Sequence, residues 1–356
     1  MPFDSNSGVK DSRPKIFVGG TEQPTLTGGL LQLLVAEDTS GLYRCEAKFG
    51  NLGPIDGKSD FLYFDRKTLD FGKDFEIKLG TDSIFAGRIT ALEANFPAAD
   101  TPEITVLAED RFQDLRMTRR TRTFTDVSDS DVFNQIANDH GLSPSVNVSG
   151  PTHKVLAQVN QSDLAFMRER ARAIGAELWM DGKTLNVKPR TERKGEPIKL
   201  KYKAELHEFT VIADLATQRT SLTVSSWDAS SKSEAKHEAT DSAISSETGG
   251  DTSGVSILKS AFGDRKESLT HTVSMNSQEA QAYAESYFKT MARRFVVGHG
   301  VAEPDARLRV GATIELDLVG PLFNGKYYLS EVKHIFDNAK GYRVCFCGER
   351  AGIGQP

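Results

Sequence analysis

Between residues 15 and 117 the hydrophobic positions fall in short runs: LLQLLVAED, LYRCEAKFG, FLYFDRK, DFEIKLG, SIFAGRITALEANF and EITVLAED. Each run alternates in part, and Gly or Pro separates one from the next. A spacing of roughly 10–15 residues predicts antiparallel strands in a small barrel or sandwich.

From residue 118 the period changes. Ser128-Asp-Ser-Asp131 opens a helix in the manner of a capping box, VFNQIANDH follows, and Gly141 stops it. Ser162 caps a second helix that ends at Gly175. On a helical wheel Leu164, Met167, Ala171 and Ile174 lie within an arc of about 80°. Arg168 and Arg172 sit together at i,i+4 on the opposite side. AELWMD and TLNVKP then flank Asp181-Gly182, a strong hairpin signal.

Strand patterns return with IKLKYK, HEFTVIAD and SLTVSSWD. Residues 229–255 are Ser, Thr, Gly and charge, and read as a mobile loop. Residues 277–294 form the strongest helix, with Ala280, Tyr283, Ala284, Tyr287, Phe288 and Met291 on one side and Glu285, Lys289 and Arg293 on the other. The tail is β again: FVVGHGVA, ATIELDLVG, a turn at Asn324-Gly325, KYYLSEVKHIF and YRVCFCGER.

The predicted fold class is mainly β with an α+β insertion: two antiparallel β-barrel domains plus an inserted α/β domain and a helical insertion. Residues 1–117 are the first barrel and 118–196 the α/β insert. The second barrel comes from 197–228 and 296–356, with the loop and helix insertion 229–295 between its two parts.

Composition narrows the function. A formal charge of −5 gives no bulk attraction to nucleic acid or anionic membrane. Three cysteines in 356 residues argue against a disulfide framework and for a reducing compartment. The opening MPFDSNSGVKDSRPK has no apolar core of a secretory signal. The longest apolar run falls far short of the roughly 20 residues a membrane span needs.

Candidate chemistry is thin. GNLGPIDGKSD, Gly50 to Asp60, has the wrong glycine spacing for a phosphate loop and leads into a strand pattern, so it reads as a turn. His207-Glu208 and His237-Glu238 lack the second His of a zinc-protease motif, since Val211 and Asp241 stand there. Cys345 and Cys347 fall on one face of a Val- and Phe-rich strand and are expected to be buried, as is usual for free cysteine. No nucleophile elbow and no assignable carboxylate pair occurs. No catalytic residue, cofactor or metal is therefore predicted. The dense run RFQDLRMTRRTR, interleaved with Asp110 and Asp114, lacks the aromatics of a nucleic-acid face and suits a protein contact. Arg116, Arg119, Arg120 and Arg122 from this run, with Arg168 and Arg172, are the partner-interface candidates.

Three stretches, in order, carry a resemblance. SDSDVFNQIANDHGL comes first. KVLAQVNQSDLAFMRERARAIGAELWMDGKTLNV follows, with Gln158, Asn160, Asp163, Phe166, Arg168, Ala171, Gly175 and the Asp181-Gly182 hairpin. The last runs from RLRVGATIELDL to GYRVCFCGER, with Gly311, Gly325, Tyr328, Val332, His334, Gly341 and Arg350. Over about residues 15–350 the chain resembles the phage late control protein D family, hubs of contractile-tail baseplates, and is similar to the hub part of valine-glycine-repeat spike proteins.

The resemblance implies a homotrimer whose six barrels ring a channel, joining a hexameric inner tube to a trimeric spike. It implies other baseplate partners, assembly in the bacterial cytoplasm and a place in a phage tail or a cell-anchored contractile particle. The longer relatives continue into a needle, whereas this sequence ends at Pro356, so the needle is expected from a separate spike protein. The expectation is a non-enzymatic hub with no specific nucleic acid and no membrane insertion. The alternative is a tail-tip cell-wall hydrolase or a glycan-binding module.

Overall fold

The computed structural model describes residues 13–193, 195–271 and 275–355. The first twelve residues, where a signal was sought, and Pro356 lie outside the described residues.

The first third builds strands β1 (Lys15–Val18), β2 (Thr21–Glu22), β3 (Leu30–Asp38), β4 (Arg44–Gly50), β5 (Leu52–Ile55), β6 (Lys58–Phe61), β7 (Asp74–Leu79), β8 (Asp82–Asn95) and β9 (Glu103–Glu109). Helix α1 (Pro24–Gly29) lies between β2 and β3, and α2 (Phe112–Arg116) follows β9. Alternation explains the strands: in β4 Cys45, Ala47 and Phe49 point inward, and in β9 Ile104, Val106 and Ala108 do so. Gly50–Asp60 is the hairpin of β5 and β6, closed by Asp56 and Gly57, both at positive φ.

The middle segment holds β10 (Arg119–Ser128), α3 (Asp129–Asp139), β11 (Ser143–Val146), β12 (Thr152–Ser162), α4 (Asp163–Ala173), β13 (Ala176–Asp181) and β14 (Thr184–Pro189). Ser128 and Asp131 form a reciprocal capping box at α3, and the Ser162 hydroxyl accepts from the Ala165 amide at α4. The hairpin turn is Gly182-Lys183, one residue later than predicted, because Asp181 is itself paired with Thr184. Leu164, Met167 and Ala171 pack with Leu178, Met180 and Leu185 in a core of their own.

The last part contains β15 (Ile198–Lys201), β16 (Leu206–Ala213), β17 (Ser221–Asp228), β18 (Ser233–Thr240), β19 (Thr252–Ser253), α5 (Gly254–Phe262), β20 (Lys266–Thr270), α6 (Ser277–Arg293), β21 (Val296–Ala302), β22 (Thr313–Asp317), β23 (Gly325–Asp337), β24 (Gly341–Arg350) and β25 (Gly352–Ile353). Residues 229–255 are not the loop predicted. β18 pairs along its length with β17, and Ala235 and Ala239 point inward. Small inward residues gave the stretch too little hydrophobic signal to read as a strand. In α6 Ala280, Ala284 and Phe288 are buried as predicted, but Tyr287 is exposed and Ser286 takes the inner position.

A mainly β chain with an α+β insertion is what the structure shows. Its largest sheet has 13 strands, in the order β16-β21-β24-β23-β3-β4-β9-β8-β7-β1-β2, with β22 and β15 branching from β23. This ladder is open; among the described residues its ends do not pair to close a barrel. β23 is the seam: its first residues pair with β22 and its last with β3. Ile16, Phe49 and Val106 from one half and Ile314, Leu329 and Val344 from the other belong to one hydrophobic core. A third core, under β17, β18 and α6, includes Leu222, Val224, Ala284 and Phe288.

Candidate interfaces and buried charge networks

The basic run 111–122 ends in an edge ribbon rather than a free cationic face. β10 pairs antiparallel with β12, and its Arg120 and Arg122 reach Asp163 at the start of α4. Asp163, only 1% exposed, is the focus. Its Oδ1 accepts from Arg122 at 2.7 Å and from Gln158 Nε2 at 2.9 Å. Its Oδ2 lies 2.8 Å from His140 Nε2 and 3.2 Å from Arg120. Burial alone would raise the carboxyl, but these hydrogen bonds and charges hold it below the usual carboxylate range. Arg122 also donates to Asp139 at 2.9 Å and stacks over Phe124. Gln158, Asn160 and Asp163, which carry the resemblance, thus sit in or beside this knot, and Asn160 takes a positive φ of 50°.

Arg120 and Arg122 are therefore occupied within the chain. Arg116 is exposed and paired with Glu109 at 2.5 Å. Arg119 is exposed and donates to the Asn160 carbonyl at 3.1 Å. The two helix arginines, both partner-interface candidates, part company. Arg168 is half-buried and donates to the carbonyls of Ser40 at 2.6 Å and Gly41 at 2.9 Å, clamping α4 to the turn after β3. Arg172 is exposed.

Sequence reasoning missed the arginine between them. Arg170 grips Asp129 with two bonds, 2.6 and 3.1 Å long. Asp129 Oδ2 lies 3.0 Å from His153 Nε2, and His153 Nδ1 lies 2.5 Å from Glu279. Glu279 also accepts from the Asn276 amide, so it caps α6 as well. His153 is 3% exposed. Burial would depress its pKa, but the hydrogen bonds it donates to Asp129 and Glu279 outweigh that and raise it to about 9. The imidazole is protonated at neutral pH and ties β12, α3 and α6 together. Its partners lie as far apart as residues 129 and 279, so no local pattern announces them.

A further seam joins the middle segment to the large sheet. Arg193 donates to Tyr43 and, at 3.2 Å, to Glu177, and lies 4.4 Å from the Trp179 ring centre. Arg190 pairs with Glu349 at 3.0 Å and lies 3.6 Å from the centre of the Tyr328 ring. Within the large sheet, Arg309 pairs with the buried Glu37, whose Oε2 also accepts from the Val310 amide.

Two of the exposed surfaces among the described residues combine several elements. Phe61, Phe64 and Phe96, exposed by 40%, 36% and 61%, touch one another with centroids 5.0–6.0 Å apart beside the β5–β6 hairpin. The second is the outer face of β16, β21, β24 and β23, with a shallow hollow of about 400 Å³ between Glu208, Thr210, His299, Glu331, Cys345 and Cys347. Cys345 and Cys347 are half-buried on this face, against the expectation of burial, because Tyr342, Val344 and Phe346 take the inward register of β24. Cys45 is buried. Among the described residues no three His, Cys, Asp or Glu side chains come together for a metal.

The comparisons bear on this geometry. The family model described as the Alg8 N-terminal domain matches residues 52–338, from β5 to the end of β23. The chain belongs to this family. No curated protein matches the sequence. Among solved structures the chain is similar to the 43 kDa tail protein of prophage MuSo2 from Shewanella oneidensis, with a TM-score of 0.70 at 10% identity over 95% of this chain and 98% of that one. It is similar to a tail protein from Neisseria meningitidis, with a TM-score of 0.69 at 11% identity over 96% and 97%. An E. coli component of the type VI secretion system, described as structurally similar to bacteriophage T4 tail proteins, gives a TM-score of 0.60 at 12% identity over 96% and 79%. The fold of this Alg8 N-terminal domain family member is thus a tail-protein fold.

Proposed function

We propose that the chain is a structural hub of a phage-tail or injection-system baseplate, of the late control protein D type, and not an enzyme. The observation that supports this most is the end-to-end likeness to two tail proteins, covering 95% or more of every chain compared. The open sheet with two β halves fits the reading: three copies supply six similar tube-facing surfaces, which matches a threefold spike to a sixfold tube. On this reading 1–117 and 197–228 with 296–356 build the ring. The units 118–196 and 229–295 face baseplate partners. Phe61, Phe64 and Phe96 are covered by the neighbouring copy, and Arg116, Arg119 and Arg172 remain exposed for partner contacts. The particle is assembled in the bacterial cytoplasm and built into a tail or a cell-anchored contractile apparatus.

Sedimentation and native mass measurement test this, alone and with the tube protein. A trimer, alone or induced by the tube hexamer, is expected; a strict monomer at high concentration under both conditions refutes it. Incubation with purified peptidoglycan, with and without chelator, should release no fragments; release would favour a hydrolase.

A further inference from the structure

The outer face of β24 carries two thiols, Cys345 and Cys347, that the proposed function does not use. They stand two residues apart on one strand, are half-buried, and both line the shallow hollow on that face. Their strand is interior to the sheet. On one side Cys345 pairs with Val301 and Cys347 with His299 of β21. On the other they pair with Lys333 and Glu331 of β23. A strand laddered on both sides cannot buckle without breaking both ladders. Cys45 does not belong to this group, since it is buried at an inward position of β4.

That rigidity fixes the spacing. Residues i and i+2 of a strand share one face, with Cβ atoms about 6.8 Å apart. A disulfide needs Cβ atoms about 3.5–4.5 Å apart, so this pair does not close into one while β24 stays paired. A single ion between the two sulfurs asks for less movement. Metal–sulfur bonds are about 2.3 Å long, so two in line span about 4.6 Å, and each sulfur reaches this by leaning about 1 Å toward the other. Among the described residues no three His, Cys, Asp or Glu side chains meet, so the four-ligand shell of zinc is not offered. Univalent copper takes two thiolates in line, and its softness favours sulfur over the carboxylates of Glu208 and Glu331 in the same hollow.

We propose that Cys345 and Cys347 form a two-coordinate site for a soft univalent metal ion, with copper(I) as its type. Burial raises both thiols, so they enter the site protonated. The ion displaces both protons and forms two metal–sulfur bonds, and no electron is transferred. The occupied pair carries one net negative charge. Lys333, opposite Cys345, and Arg343, two residues before it on the same face, stand beside that charge. The site does not depend on the trimeric hub reading: a single chain carries it complete.

The test uses the full chain without oxygen and copper(I) alone, supplied as its bicinchoninate complex. Wild type should withdraw one ion per chain from the chelator. Cys345→Ser and Cys347→Ser should each weaken retention at least hundredfold, and Cys45→Ala should leave it within threefold of wild type. X-ray absorption at the copper edge should show two sulfur neighbours, a reading that needs no variant should a serine disturb β24. No withdrawal by wild type overturns the proposal. Equal retention by wild type and both serine variants does so as well, since it marks an adventitious ion only. A shell of three or more protein ligands overturns it too, as does one ion shared by two chains, seen as copper-dependent dimers in native mass measurement. Loss of two hydrogens from the metal-free single chain on mild oxidation, blocked by either serine, would show a disulfide and overturn the spacing on which the site rests.

Discussion

His153 offers a sharp test of the buried network, because its titration and the packing of α6 are the same event. In the folded chain its pKa is raised to about 9, against an ordinary value near 6.5. Its stabilising effect is therefore present in full below pH 6.5 and is lost as pH rises through about 9. Over that window the loss approaches about 3 kcal/mol, at 1.36 kcal/mol for each decade of proton affinity. Asp129 and Glu279 are held below the carboxylate range and stay charged throughout, so they add no slope there. Asp110, raised to about 7 by burial, completes its titration near the lower end of the window. The three thiols, raised by burial, do weaken the fold at alkaline pH. The effect is accordingly read as the difference between wild type and His153→Gln, which keeps hydrogen bonding without the charge. Urea unfolding of both at pH 6.5, 7.5, 8.5 and 9.5 should show the two curves converging, with wild type losing about 3 kcal/mol more than the variant. An NMR titration of the imidazole is the direct check, since a chain with several cores need not unfold in one step. Parallel stability curves, or an imidazole that titrates near 6.5, would refute the charge-locked contact between β12, α3 and α6.

Three further outcomes follow from named contacts. Arg168→Ala leaves the Ser40 and Gly41 carbonyls without their donor and should cost about 2–3 kcal/mol, with faster hydrogen exchange in the turn after β3. Gly300→Ala places a methyl 2.3 Å from the inward ring of Phe346 and should destabilise by about 1–3 kcal/mol in urea unfolding. Serine at Phe61, Phe64 and Phe96 together removes rings that are each about half covered and touch one another, and should cost the single chain about 2–5 kcal/mol; on the proposed hub reading it should also shift sedimentation from trimer to monomer while the circular dichroism spectrum stays that of the folded chain.

What the sequence made legible is what local chemistry decides. The caps at Ser128 and Ser162 and the stop at Gly175 each act within a few residues, and α3 and α4 form where they predict. Elements fixed by distant partners were harder to read. β10 is crowded with arginines and carries little hydrophobic alternation; its strand form depends on β12 and its charges on Asp163. α5, capped by Ser253, lay beside the supposed loop and was not separated from it. Cys345 and Cys347 were correctly placed on one face, but which face follows from the inward register of Val344 and Phe346. Arg168 and Arg170 differ little in local sequence. Only the fold decides that one clamps a turn and the other a buried carboxylate.

The seam at β23 links these observations to the proposed role. Two halves joined by a linker would be expected to move against each other. Here a single 13-residue strand serves both halves, and its last seven residues, Glu331–Asp337, pair with β3. The core runs through without a break, and Glu37 of β3 holds Arg309 from the other half in an ion pair. Bending at this seam would break ladder hydrogen bonds and open packed apolar surface together, so the angle between the halves is set by the fold. A ring that presents six similar surfaces from three chains needs that angle to be the same in every copy, since an error in it would repeat three times around the circumference. A continuous sheet with no hinge meets that requirement; a pair of closed, separately folded barrels would have to meet it through an interface alone.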